Sequence, residues 1–444
     1  MDPDPAAATE QGADAPSLPG RGGLIAALKQ TTFRSLRHTN YRRYFYGQIV
    51  SFTGSWMQSA ALMWLMYDRT GDPRWPSWLL VAQVGPTLLL GAWGGHLADR
   101  WPKRQLVFRT QAAFLVNAVL LTLFVATGLA VPSLILALQV MNGVIQAIDL
   151  PARLAFVPDL IPKEDLINAV GLNSLLFNSA RAVGPAVAGL FFLLADAAAP
   201  LFPDVNLVTL GAVGCFGFNA VSFLAVLFAL RGIRVPGDAH DGNAAEAGSA
   251  LDGVRYLLAR PLLGGLVAFT LVMCVFGWPV LTLLPAYTRL TLGLAEKSYS
   301  VLVSSLGAGA LVAALATATF GTVGRRAAFL VAGAAVTAGG LFGLALANML
   351  PAAVACCVCV GFGLILFLAT GQSTLQLAVP DEMRGRVMAL WAMTLSASAP
   401  LGHLLAGEAV TAFGVGPVLR AMAAGTGLVA VGLAALVAGR GLRK

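Results

Sequence analysis

Long apolar runs alternate with short polar segments along almost the whole chain. A transmembrane helix needs about 20 mainly apolar residues to cross the hydrocarbon core of a bilayer. Twelve runs meet this length within soft limits, at 44–66, 77–97, 106–128, 132–156, 167–194, 208–230, 262–286, 299–320, 327–347, 351–373, 386–410 and 417–438. The pattern predicts an all-α polytopic membrane protein with twelve spanning helices.

Composition excludes a soluble protein. Of the 444 residues, 57% are hydrophobic and only 11% are charged. A helical membrane protein can have this composition, because lipid accepts apolar side chains and each helix satisfies its own backbone hydrogen bonds. The five cysteines all fall within the apolar runs, which indicates small apolar fillers rather than a metal site or a disulfide framework. We expect no metal and no cofactor.

The positive charges follow the predicted topology. Of 29 Lys and Arg residues, 23 fall in segments on the side of the termini, 5 fall on the other side, and Arg181 lies inside a run. Cytoplasmic loops carry the excess of Lys and Arg, so both termini are predicted in the cytoplasm. Because the basic residues are not clustered on one domain, the net charge of +8 does not indicate a nucleic-acid partner.

The chain also carries signs of an internal duplication. Val157-Pro158-Asp159 precedes the fifth run, and the same three residues precede the eleventh run 222 positions later. Two pseudo-symmetric six-helix halves around a midplane site follow from this repeat. The predicted domains are a flexible tail at 1–38, a first half at 39–230, a cytoplasmic linker at 231–256, a second half at 257–439 and a short tail at 440–444.

The loop between the second and third runs reads Gly95-His96-Leu97-Ala98-Asp99-Arg100-Trp101-Pro102-Lys103-Arg104. It resembles the corresponding loop signature of the major facilitator superfamily, although Pro102 stands where that pattern has glycine. The resemblance implies a fold of twelve helices in two halves. It also implies a conformational latch formed by Gly95, Asp99, Arg100, Lys103 and Arg104.

Asp149 and Arg153 lie one helical turn apart near the predicted cytoplasmic end of the fourth run. Two interpretations stay open for them. Asp149 joins the latch network by pairing with Arg100 or Arg104, or it forms a local pair with Arg153 that caps the helix end.

Arg181 lies about 21 Å along the fifth run at the helical rise of about 1.5 Å per residue. An arginine near the bilayer centre costs about 2.5 kcal/mol or more unless it is paired or hydrated, so we expect it to face a cavity. Asn142, Gln146 and Asn178 lie at comparable depth. Arg181 either binds an anionic group or modulates a nearby acid, or it locks the fourth and fifth helices against each other.

Other polar and aromatic residues within the runs predict a cavity for a bulky, partly polar substrate: Trp56, Gln58, Trp278 and Gln372. For each, a helix–helix hydrogen bond or an interfacial tryptophan is the alternative. Gly184-Pro185-x-x-x-Gly189 resembles, in shortened form, the antiporter signature of the superfamily's drug–proton exporters, and Pro185 predicts a bend there. Asp149 and Glu408 are the candidate proton carriers.

Further segments carry the resemblance over about residues 38–439: Asn40-Tyr41-Arg42, Trp56-Met57-Gln58-Ser59, Ala180-Arg181-x-x-Gly184-Pro185 and Arg384-Gly385-Arg386-Val387-Met388. They resemble the bacterial exporter branch that includes siderophore exporters. This implies a monomeric protein of the bacterial plasma membrane that exports an amphiphilic drug, siderophore or other secondary metabolite by proton antiport. Alternatives are a lipid or lysolipid translocator, a membrane enzyme or a sensor. No enzymatic motif is present, so we expect a transporter and not an enzyme.

Overall fold

The computed structural model describes residues 33–233, 250–320 and 323–441, and these residues form helices and short connections without strands. Twelve long helices follow one another: α1 (Thr39–Thr70), α2 (Arg74–Arg100), α3 (Lys103–Ala126), α4 (Pro132–Phe156), α5 (Leu166–Ala198), α6 (Leu207–Arg231), α7 (Pro261–Thr291), α8 (Glu296–Phe320), α9 (Arg326–Leu346), α10 (Leu350–Ala378), α11 (Asp381–Phe413) and α12 (Val415–Gly441). The all-α polytopic fold is confirmed.

Length and hydropathy identify 11 of these helices as membrane spans, and α1 is the exception. With 32 residues it is long enough to cross, but it carries many polar side chains. Three of them, Gln48, Ser51 and Gln58, are buried against the protein instead of facing outwards. Protein contacts therefore replace lipid around α1, so its hydropathy does not need to match that of a lipid-facing span.

The two halves, α1–α6 and α7–α12, repeat the same close packing. In each half the second and fourth helices meet at two glycines. A Cβ atom there would collide with a backbone carbonyl of the facing helix: Gly94 with Ala147, Gly143 with Gln83, Gly309 with Val358, and Gly361 with Leu306. Only small residues permit such an approach of two helix backbones. The internal repeat seen in the sequence therefore corresponds to a repeat of helix packing.

The three largest of four apolar cores show how the halves meet. One core contains residues from both halves, including Trp64 and Leu65 of α1 and Tyr299 and Leu302 of α8. The other two cores each belong to one half, around Phe156 in the first and around Trp391 in the second. We call the end of the bundle with the shared core the closed end. The end with the separate cores, where Lys103, Arg231 and Arg386 lie, is the basic end.

Ion pairs between the halves lie at the closed end. Asp68 faces Arg289 at 3.3 Å, Arg74 faces Glu408 at 3.7 Å, and Asp196 pairs with Lys297. The stacked rings of Trp64 and Tyr299 join the halves there, with centroids 5.4 Å apart. At the basic end, by contrast, Lys103–Asp159, Arg153–Asp149 and the pairs to Asp165 join residues of the first half, and Arg386 pairs with Asp252 of the helix at Ala250–Leu258. The bundle is therefore closed at one end and parted at the other.

Two helix pairs bring the halves together, α5 with α8 and α2 with α11. A Cβ at Gly307 of α8 would lie 2.6 Å from the Cα of Ala182. A Cβ at Gly189 would lie 3.0 Å from the Cβ of Ser300, and one at Gly407 would lie 2.6 Å from the Oγ of Ser77. Glycines thus permit contact between the halves on both sides of the bundle.

The predicted flexible tail at 1–38 lies mostly outside the described residues, and its described part is ordered by contacts to α5. Residues 34–37 form a helical turn whose side chains bind the buried carboxylate of Asp165, with Arg34 Nε at 2.5 Å, Arg37 Nη2 at 2.8 Å and His38 Nε2 at 2.6 Å. The hydrogen bond from His38, followed by that from Arg37 and by the positive charges of Arg34 and Arg37, lowers the pKa of Asp165. The predicted linker lies partly outside the described residues, and its described part includes a helix at Ala250–Leu258.

We predict that Gly307→Ala weakens the contact between the halves. The added Cβ meets the backbone of α5, and overpacking of this kind costs about 1–3 kcal/mol. The melting temperature of the purified protein should fall, and a cysteine introduced at Ser300 should react faster with a membrane-impermeant thiol reagent. Gly339→Ala is the matched control, because a Cβ there has open space. Equal behaviour of the two variants would contradict the tight contact.

A candidate substrate site between the halves

Arg181 lies where the two halves meet. Its side chain is buried, with 7% of the residue exposed. The helix that carries it is long and apolar enough to cross a membrane. Its Nη2 donates a hydrogen bond to Oδ1 of Asn178, one turn earlier on α5, at 3.0 Å. No carboxylate pairs with it in the part of the chain that the structure describes, and its Nε lacks a hydrogen-bond partner there. The site therefore holds a positive charge that protein groups only partly satisfy.

Two tryptophans flank this guanidinium, one from each half. The Cζ atom of Arg181 lies 5.8 Å from the ring centroid of Trp56 on α1 and 5.5 Å from that of Trp278 on α7. The two tryptophans are 222 positions apart, which is the offset of the sequence repeat. Cation–π attraction to aromatic faces stabilises a buried guanidinium without neutralising it. The positive charge thus stays available to a negatively charged group.

Aromatic side chains extend the site towards the basic end. Phe177, 43% exposed, contacts Trp56 with ring centroids 5.6 Å apart and Phe52 at 5.9 Å. Arg153 in turn lies over the ring of Phe52 at 4.9 Å. A path of aromatic rings thus joins two arginines along α1 and α5, and it suits a ligand that combines aromatic rings with negative charge.

The backbone of α5 is adapted to this position. Pro185 cannot donate an N–H, so the carbonyl of Arg181 loses its usual partner four residues later. That carbonyl oxygen lies 2.7 Å from the position that a Cβ at Gly307 would occupy. Gly184 packs equally closely on α1, where an added Cβ would lie 2.6 Å from the Cβ of Trp56. Gly184, Pro185 and Gly189 therefore fix α5 between α1 and α8.

Other predicted cavity residues take different places. Gln58 is buried and its Oε1 accepts a hydrogen bond from Asn219 of α6 at 2.8 Å, which makes it a packing residue within the first half. Asn142 and Gln146 are half-buried on α4, and Gln372 is exposed on α10. Among the described residues the side chains of these three make no hydrogen bond, so Arg181 is not joined to α4 through Asn142 or Gln146.

Asp149 forms the local pair that the sequence left as one alternative. Its fully buried carboxylate accepts hydrogen bonds from Thr110 Oγ1 at 2.7 Å and Gln111 Nε2 at 3.0 Å, and it faces Arg153 Nε at 2.6 Å. The expected partner Arg104 instead donates from Nε to the carbonyl of Leu230 at 3.0 Å. In this conformation Asp149 therefore ties α4 to α3.

The latch residues lie at the parted basic end. Asp99 and Arg100 are exposed, and a Cβ at Gly95 has open space around it. The neighbouring Gly94, by contrast, packs closely on Ala147 of α4. Lys103 pairs with Asp159, 3.1 Å away, within the same half. Glu408, at the opposite end, takes part in the ion pair with Arg74.

Sequence reasoning missed three contributors. In the sequence Phe177 is one of many apolar residues of a predicted span. No local sequence pattern indicates that Trp64 stacks on Tyr299, which is 235 positions away. Gly307 has a weak one, because it lies in a glycine-rich stretch of α8. Trp56 and Trp278 occupy equivalent positions of the 222-residue repeat. This equivalence is the sequence signal that could have placed both tryptophans at the same site.

Proteins with similar sequences are transporters. The chain is 24% identical over 411 residues to the enterobactin exporter EntS of Shigella boydii, covering 90% of this chain and 92% of that protein. It is 30% identical over 147 residues to the staphyloferrin A transporter of Staphylococcus aureus, a match that spans 33% of this chain and 37% of that protein.

Solved structures share the fold. The nucleoside transporter NupG superposes with a TM-score of 0.69 at 13% identity, covering 90% of this chain and 99% of that one. A bacterial homologue of the iron transporter ferroportin, in its inward-facing state, gives 0.63 at 18% identity, covering 89% and 98%. The family described as transmembrane secretion effector matches residues 30–439. This chain therefore belongs to that family of the major facilitator superfamily, and it is a multi-pass membrane transporter of small molecules, not an enzyme.

Proposed function

We propose that this protein exports an anionic small molecule with aromatic or other apolar parts from the cytoplasm, by alternating access coupled to protons. The observation that carries the proposal is Arg181, a buried guanidinium between one tryptophan of each half and without a described acidic partner. A charge at this depth is unfavourable unless a ligand or water satisfies it. An anionic substrate would do so.

The excess of Lys and Arg supports a cytoplasmic location for the basic end. With that orientation the halves part towards the cytoplasm and the closed end faces outwards. Substrate would then reach Arg181 from inside the cell. Two relatives are named for the siderophores enterobactin and staphyloferrin A, and iron-chelating molecules carry the anionic oxygen groups that an arginine binds well.

Arg181→Gln should lower export of an anionic substrate at subsaturating concentration about tenfold or more, since hydrogen bonds to charged groups contribute about 1.5–3 kcal/mol. Initial rates in everted vesicles measure this for an anionic siderophore and for a neutral dye. Arg181→Lys is the matched variant that keeps the charge, and it should retain more of the anion transport. Equal loss for the neutral dye, together with a lower melting temperature, would show that Arg181 serves the fold.

Proton coupling is proposed through Asp149 or Glu408. Asp149 is buried beside Arg153 at the basic end, and Glu408 lies at the closed end beside Arg74, so the two groups lie on opposite sides of the site. Collapse of an imposed proton gradient with an uncoupler should stop uphill export. Asp149→Asn or Glu408→Gln, whichever removes the carrier, should abolish gradient dependence while substrate exchange continues. Uphill export that survives the uncoupler would refute proton antiport.

The latch is proposed for the opposite conformation, in which the basic end closes. There Gly95, Asp99, Arg100, Lys103 and Arg104 would meet the start of α11 in the second half. Asp99→Asn should leave insertion and expression unchanged but reduce export several-fold. Glu164→Gln is the control, because it removes an exposed carboxylate at the same end. Full export by a well-expressed Asp99→Asn variant would exclude the latch.

A further inference from the structure

A second pocket lies at the basic end, away from the interface between the halves. It is formed by α3 and α6 of the first half, has a volume of about 290 Å³, and is lined by Arg104, Gln105, Phe108, Arg109 and Arg231. Three of its five lining residues are arginines and none is acidic. No carboxylate pairs with these arginines among the residues that the structure describes. The pocket is therefore an uncompensated positive site at the membrane boundary.

The protein holds these arginines in place without neutralising them. Arg104 donates from Nε to the carbonyl of Leu230 at 3.0 Å and from Nη2 to that of Arg231 at 3.4 Å. The guanidinium of Arg231 lies 5.8 Å from the ring centroid of Phe108, and that of Arg109 lies 4.8 Å from the ring of Trp101. Their remaining N–H groups match the several oxygens of a phosphate.

An exposed apolar surface continues from this pocket along both helices. On α3 the exposed side chains Val116 and Leu123 follow Arg109 at intervals of seven residues, so they share its face. On α6 the exposed side chains Val221 and Phe228, at 62% and 65%, lead up to Arg231. Arg109 and Val116 are about 10 Å apart along the helix. The charged pocket thus lies at the end of exposed apolar faces of α3 and α6.

We propose that this pocket and the apolar faces beside it bind an anionic phospholipid, with its phosphate among the arginines and its acyl chains along α3 and α6. Basic pockets between transmembrane helices near the cytoplasmic surface bind such head groups. A free phosphate ion would use the arginines but not the apolar surface beside them. The presence of both features therefore favours a lipid.

The site belongs to the first half alone. At the repeat offset of 222, Arg104 corresponds to Arg326 of α9, but Arg109 corresponds to Val331. The second half therefore lacks an arginine at the position from which the apolar stripe of α3 begins. A bound lipid would consequently attach to one half and not to the other.

Native mass spectrometry of the purified full chain tests this with phosphatidylglycerol, phosphatidylcholine and glycerol phosphate as probes. Phosphatidylglycerol should bind at least about tenfold more tightly than phosphatidylcholine, because the arginines act on its net negative charge. Arg109→Gln with Arg231→Gln should remove this preference. The control variant, Arg42→Gln with Arg255→Gln, removes the same amount of charge from exposed positions at the same end. It should retain the preference for phosphatidylglycerol. Equal loss in both double variants would overturn the proposal, since it would indicate general surface charge.

A second measurement on the unaltered protein does not depend on the variants folding. Shortening the acyl chains of phosphatidylglycerol from about 16 to about 8 carbons should weaken binding more than tenfold, because each buried CH₂ contributes to affinity. Binding that is independent of chain length, or displacement of the lipid by equimolar glycerol phosphate, would show a free-anion site and overturn the assignment to a lipid.

Discussion

The apolar core shared by the two halves at the closed end is the contact on which the rest of the arrangement depends. It joins α1 to α8 through the stacked rings of Trp64 and Tyr299, and glycines of α5, α8 and α11 let the backbones approach. Burial of apolar surface needs no specific bond geometry, so this core holds the two halves together at that end. The separate cores at the basic end keep each half intact while the halves are apart.

The place of Arg181 follows from this arrangement. The helices of the two halves converge beside its backbone, where the carbonyl released by Pro185 faces Gly307. A charge held at such a junction contacts both halves, through Trp56 on one side and Trp278 on the other. A ligand that binds there would therefore act on both halves together, which is what transport by alternating access requires.

The fold could be predicted from the sequence because a helix that crosses lipid must be about 20 residues long and mainly apolar. The 222-residue repeat could also be recognised within this one sequence. Individual polar residues were harder to place. Gln58 and Trp56 are two positions apart on one helix, yet Gln58 turns to Asn219 while Trp56 flanks Arg181. The rotation of α1 about its axis decides which of the two contacts each residue makes. The sequence of α1 gives little periodic signal for this rotation, because residues 60–67 are buried on every side.

Asp149 shows the same limit. Its spacing from Arg153 permitted both a local pair and a longer-range network, and the choice depended on Thr110 and Gln111 of α3, which no sequence pattern connects to it. Gly94 and Gly95 are neighbours with opposite surroundings for a similar reason, since the facing helix determines which one is crowded. Residue types were predictable from the chain, whereas their partners required the packing.

The ion pairs of the closed end have a consequence for the environment of the transporter. Their side chains are partly exposed, from 18% for Asp68 to 58% for Glu408. Exposed pairs of this kind contribute only about 0–1 kcal/mol each, and dissolved salt screens them, whereas it leaves an apolar core intact. In the proposed alternating-access cycle, the balance between the two conformations would therefore depend on the ionic strength at the closed end. The salinity of the medium on that side would then affect the rate of transport.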